Sequence, residues 1–213
     1  MAFSSSDSWK VLNRNLFFVK NAVKSSEAKT SDKLDIYDPE TRQLLLECRE
    51  PELGIITKAA RFIGGHHDHG TKFDFIARKP GEGQPVLRVS RGNISLSFGG
   101  CPIRLLNHDQ EALGTLKKKK FSWGNKYLFS GERGLGQLLL EVKSDFLGKT
   151  IRWLFNGRVV GTLCRKPASS PHEAYYREGK FDYSYCIAPE VPANDILRQI
   201  LIAFAIAQHR VER

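Results

Sequence analysis

The apolar stretch from Ile200 to Ala207 falls far short of the roughly 20 residues that a bilayer core requires, so no membrane-spanning helix is read in this 213-residue chain. Paired cysteines are missing too. Cys48, Cys101, Cys164 and Cys186 lie far apart with no CxxC, which excludes zinc ribbons and thioredoxin-like redox motifs and leaves thiols expected to be reduced and mostly buried in strands. The first ten residues lack the apolar core of a secretory signal, so a cytoplasmic location is expected. Ala2 stands where N-myristoylation requires glycine. Acidic residues are in deficit, 23 against 33 lysines and arginines, for a net charge of +10. That balance favours anionic partners, whether lipid headgroups, nucleic acid or acidic proteins.

What is present is a rhythm of short extended runs broken by turn residues. A hydrophobic content of 41% is enough for a sizeable core in one large all-β domain or two small ones. Leu16 to Val19 opens the pattern, and the polar segment Lys24 to Lys33 interrupts it. Leu34 to Tyr37 and Leu44 to Arg49 flank the turn signal Asp38-Pro39-Glu40-Thr41. Phe73 to Ala77 and Val86 to Ser90 flank Pro80-Gly81-Glu82-Gly83, and Ile94 to Phe98 alternates with period two. Ile103 to Leu106, Leu113 to Leu116, Tyr127 to Phe129 and Leu138 to Val142 continue the series. Ile151 to Phe155 and Arg158 to Leu163 are joined by Asn156-Gly157, the strongest hairpin signal in the chain. Such spacing predicts a meandering antiparallel sheet large enough to curl.

The end of the chain breaks the rhythm. From Ile196 to Arg210 the residues describe a helix that is apolar on every side, and such a helix must be surrounded. Pro189 and Pro192 punctuate its approach, Asn194 is positioned to cap it, and Asp195 complements the positive end of its dipole. Arg198, His209, Arg210 and Arg213 bracket the apolar stretch closely, which again argues against lipid. If the preceding sheet closes into a barrel, the helix is its plug, and the small Ala203, Ala205 and Ala207 allow strands to approach its axis.

The ordered set Tyr37-Asp38-Pro39-Glu40-Thr41, Leu44 to Glu47, Arg49-Glu50-Pro51, Phe73-Asp74-Phe75, Val86 to Gly92, Leu113 to Leu116 and the closing helix resembles the phospholipid scramblase and LURP-one-related families. The resemblance runs from about Leu16 to Arg213. It implies a mainly β, tubby-like fold, a closed antiparallel barrel of about twelve strands around a central hydrophobic C-terminal helix. Residues 1–15 are then a lead and 16–213 a single domain. The chain departs from scramblases in lacking a proline-rich extension and a cysteine cluster. Between Phe181 and Glu190 only Asp182 and Glu190 are carboxylates, too few for a calcium cage of about six or more oxygens. Phosphoinositide-binding residues of tubby proteins cannot be carried over position by position.

The sharpest local feature is Lys117-Lys118-Lys119-Lys120-Phe121-Ser122-Trp123-Gly124-Asn125-Lys126, placed at a strand end and hairpin tip. Lys117, Lys118, Lys119, Lys120 and Lys126, with Trp123 as an aromatic anchor, suit an anionic membrane surface or a phosphoinositide. The competing view is a solvated edge kept from aggregating by lysine, with Phe121 and Trp123 turned inward. His66-His67-Asp68-His69 carries ligand types for a metal. Yet His66, His67 and His69 are neighbours in a Gly-flanked loop, and such residues rarely converge on one ion without a distant fourth ligand, so a polar loop is the better reading. Gly131 to Gly136 lacks the Lys-Ser/Thr of a phosphate loop and reads as a turn. No nucleophile elbow and no cofactor motif is found. The expectation is a non-catalytic binding or scaffold module, cytoplasmic and peripheral to membranes, with nucleic-acid or protein binding and scramblase-like transport as alternatives.

Overall fold

The computed structural model describes residues 9–21, 33–51, 73–92, 102–119, 125–132, 136–145, 150–164, 183–192 and 195–211. Among them twelve strands follow in order: β1 Leu16–Asn21, β2 Lys33–Tyr37, β3 Leu44–Arg49, β4 Phe73–Arg78, β5 Pro85–Arg91, β6 Ile103–Leu106, β7 Ala112–Lys118, β8 Asn125–Gly131, β9 Gln137–Ser144, β10 Thr150–Phe155, β11 Arg158–Cys164 and β12 Tyr183–Ile187. A 3-10 turn, Trp9–Asn13, precedes them, and helix α1, Ile196–Val211, follows. Each strand pairs antiparallel with its sequence neighbours, and β1 pairs with β12, setting Leu16 opposite Cys186 and Val19 opposite Tyr183. The sheet is thus a closed barrel without a free edge.

Period-two alternation sorts the side chains. Phe73, Phe75 and Ala77 of β4 are buried, as are Leu87 and Val89 of β5 and Ile151 and Trp153 of β10. These residues point inward, and Asp74, Ile76, Arg88 and Arg152 alternate with them. The turns follow from local chemistry. Asn156 and Gly157 have φ of 50° and 76° between the paired Phe155 and Arg158, the left-handed conformations that a two-residue hairpin demands. Asp38 accepts the Glu40 backbone N–H at 2.9 Å and pairs with Arg14, closing the β2–β3 turn.

α1 lies inside. Every residue from Leu197 to Ala207 is buried, and three helical turns with no exposed position must be covered on all faces. Phe204 meets Tyr127 of β8 and Trp153 of β10 edge-on, with ring centroids 4.7 and 5.7 Å apart. The Tyr183 hydroxyl of β12 donates to the Ala205 carbonyl at 2.9 Å. At Gly161 of β11 a Cβ would stand 3.2 Å from Trp153 and 3.5 Å from Leu201, so glycine leaves room for the helix to approach.

Two expectations are revised, and a third falls on a residue outside the described ones. The side chain that caps α1 is Asp195, which accepts the Leu197 N–H at 2.7 Å; Asn194 lies outside the described residues. Arg198 does not mark a polar boundary but is 2% exposed, because its guanidinium finds backbone acceptors inside the fold. Its Nη1 donates to the Arg14 carbonyl at 2.6 Å, and its Nη2 to the Val191 carbonyl at 2.7 Å and to Asn15 at 2.8 Å. Of the thiols, Cys48 is buried, Cys164 half-buried and Cys186 exposed, since alternation turns Cys186 outward between the inward Tyr185 and Ile187. Cys101 and the alternating Ile94 to Phe98 lie outside the described residues.

Candidate functional site

An up-and-down barrel has two ends, and here they differ. The strand ends that flank connections 38–43, 79–84, 107–111, 132–136 and 156–157 lie at one end, called the turn end, with the end of β12 and the start of α1. Connections 22–32, 50–72, 92–102, 119–124, 145–149 and 165–182 all leave from the opposite end, toward which α1 runs. Lys117 and Lys118 finish β7 at that opposite end, and the Lys119 N–H donates to the Lys126 carbonyl at 2.8 Å across the start of β8. Lys117, Lys118 and Lys119 are all exposed. Leu116 points inward, so Lys118 continues the inward phase at the barrel mouth while Lys117 and Lys119 take the outward phase.

Lys126 is also outward, but it is engaged. Its Nζ lies 2.9 Å from Glu141 of β9, directly opposite it in register. That bond, with Lys143 adding its charge, holds the Glu141 carboxyl below its ordinary range. The structure therefore brings Lys117, Lys118, Lys119 and Lys126 to one end of the β7–β8 pair, as the sequence predicts. Lys120 and Trp123 lie outside the described residues, and so do His66, His67 and His69. Among the described residues no group of three or more His, Cys, Asp or Glu side chains is arranged to hold a metal.

Register adds cations that sequence separation hides. β9 carries Leu139, Glu141 and Lys143 outward, alternating with Leu138, Leu140 and Val142. Lys143 stands directly opposite Arg152 of β10, and both are exposed. Leu139 stands opposite Leu128 of β8, which stands opposite Lys117 of β7. Three neighbouring rows thus cross the outside of β7 to β10: Lys117, Leu128, Leu139; then Lys119, Lys126, Glu141; then Lys143, Arg152. Elsewhere on the barrel two arginines pair with aspartates. Arg88 donates to both carboxylate oxygens of Asp74, at 2.8 and 2.6 Å, and Arg49 reaches Asp35 at 2.6 Å.

Two clefts lie elsewhere. One of about 850 Å³ sits at the turn end between the β10–β11 hairpin and the approach to α1, lined by Phe155, Val159, Val160, Val191 and Leu197 with Arg158 and Glu190. A smaller one, about 360 Å³, lies between Arg14, Leu45 and Lys79, also toward the turn end. Neither is lined by the lysine cluster. Two fully buried groups are held in their neutral forms: burial pushes the Cys48 thiol up to about 12 and the Tyr185 phenol well above its usual value. Neither is poised as a nucleophile near neutral pH.

Among the described residues no helix is long and apolar enough to cross a membrane. Compared with protein families, with characterised proteins and with solved structures, the chain matches none.

Proposed function

We propose that this barrel is a non-catalytic, tubby-like binding module that engages anionic phospholipid headgroups at a membrane surface through the basic end of β7 and β8. The observation that carries the reading is the joint exposure of Lys117, Lys118 and Lys119 at one barrel end, with Lys126 across the pair. A strand that ends in three exposed lysines projects cations to both of its sides, and each basic residue near an anionic leaflet contributes roughly 1 kcal/mol. Closure of twelve antiparallel strands around a C-terminal helix is the architecture that the scramblase and LURP-one-related resemblance implies, and it supports the same reading. Because α1 is enclosed by the barrel, contact with lipid falls to the surface residues.

The test is co-sedimentation with phosphatidylcholine vesicles that contain or lack phosphatidylserine. Pelleting is expected only with the anionic lipid and only at low salt, since exposed charges are screened beyond about 8 Å at physiological ionic strength. The triple substitution Lys117→Glu, Lys118→Glu, Lys119→Glu is expected to abolish it while leaving the thermal transition in place. Wild-type protein that stays in the supernatant with both vesicle types at low salt rules the reading out.

A further inference from the structure

We propose that the membrane-docking surface is the outer wall of β7 to β10, with Lys143 and Arg152 as contact residues equal in weight to the lysines of the β7–β8 tip. This rests on the anionic-lipid reading and specifies which side of the barrel meets the bilayer. Register places Lys117, Lys119, Lys126, Lys143 and Arg152 on one outward wall. Among the described residues the three basic rows and their rim carry two carboxylates: Glu141, paired with Lys126, and Asp145, which accepts the Thr150 N–H at 3.1 Å. Five cations against two anions leave a net positive surface of about three charges.

Two features distinguish this wall from a merely soluble one. First, it sets like charges directly opposite each other, Lys143 facing Arg152 across β9–β10. Directly opposed like charges destabilise a sheet, and a bound anion relieves that repulsion. Second, the cations border exposed apolar surface. Leu139 is 38% exposed, and it forms one row with Leu128 and Lys117. Cations beside an exposed leucine on a convex wall match an anionic headgroup layer with hydrocarbon beneath it better than a nucleic-acid backbone, which offers phosphate alone.

The experiment compares single substitutions by vesicle co-sedimentation, with phosphatidylserine present or absent. Lys143→Glu and Arg152→Glu are each expected to weaken partition to the anionic vesicles by about 30-fold, from one positive charge removed and one negative charge added. Arg158→Glu, the same charge change at the turn end of the same β10–β11 hairpin, is expected to leave it unchanged. Glu141→Gln is expected to tighten binding by about fivefold. Lys143→Glu converts a repulsive cross-strand pair into an attractive one, so its melting temperature should hold or rise while its binding falls, which separates loss of contact from loss of fold. If the wild type binds anionic vesicles and Lys143→Glu and Arg152→Glu bind equally well, or if Arg158→Glu loses as much, the wall assignment is overturned. If the wild type binds no anionic vesicle, or binds a single-stranded oligonucleotide instead, the lipid reading itself has failed.

Discussion

Asp38 is a case in which one side chain settles a turn. Burial pushes its carboxyl up, but the backbone N–H groups of Glu40 and Thr41, the Thr41 hydroxyl and the Arg14 guanidinium together outweigh burial and leave it below the ordinary 3.8. The Asp-Pro-Glu-Thr run shows the turn in the sequence, because aspartate binding its own backbone two residues on is a local preference. It does not show Arg14, which comes from 24 residues away. A carboxyl with a depressed folded value contributes stability that is fully present above its unfolded value and lost as pH falls through the folded one. Asp38→Asn is therefore expected to cost about 1 to 2 kcal/mol at pH 7, as befits hydrogen bonds to a charged acceptor, and progressively less below pH ~4. Urea denaturation of both proteins at neutral and acid pH measures this. A difference that does not shrink with acidification would show that the carboxylate charge has no part in the turn.

At the scale of elements, the hairpins and the helix were legible because each is written locally. Ile103 to Leu106 is observed as a strand with the expected bounds, and the Asn156-Gly157 turn adopts the expected left-handed pair. β12 was not. In the sequence Tyr183 to Ile187 shows few calcium ligands and a thiol, Cys186, in a strand-like context, but no strand with bounds of its own; in the structure Tyr183, Tyr185 and Ile187 alternate inward and complete the barrel. A five-residue strand paired to both β1 and β11 is defined by partners that no local window contains. The helix makes the sharper prediction. Ala203 is fully buried at the middle of the plug. Ala203→Arg would have to place a cation inside a closed apolar barrel, a cost of about 5 kcal/mol or more against a typical total stability of roughly 5 to 15. The variant is expected to be unfolded or insoluble, as read by circular dichroism and proton chemical-shift dispersion, whereas Ala203→Ser should remain folded. A folded, soluble Ala203→Arg protein would mean that this face of α1 is open.

For the whole molecule the decisive contacts are those that join its two ends in sequence. β1 and β12 close the sheet, and at the turn end Arg198 ties together three segments: the carbonyls of Leu12 and Arg14 with the Asn15 side chain, the Val191 and Pro192 carbonyls, and its own helix. Burial lowers the guanidinium's proton affinity, with Tyr185 and Asp195 opposing that effect. It remains charged, because arginine does not deprotonate in proteins. In the sequence Arg198 looked like a charged helix end, since only the folded barrel brings residues 184 positions apart within hydrogen-bond reach. The same limit hid Lys143 and Arg152, which register alone sets against each other and beside Lys126. Arg198→Met keeps the aliphatic stem and removes every donor, leaving the Arg14 and Val191 carbonyls without this partner. The expected loss is about 3 to 5 kcal/mol, the range for breaking a buried charged network, with Arg198→Lys recovering only part because a single ammonium cannot span all three segments. Because the lock sits at the turn end and the basic wall runs toward the other, Arg198→Met protein held below its lowered melting temperature should still pellet with anionic vesicles. Weakened lipid binding in that folded variant would show that closure of the turn end and the shape of the basic wall are coupled through α1.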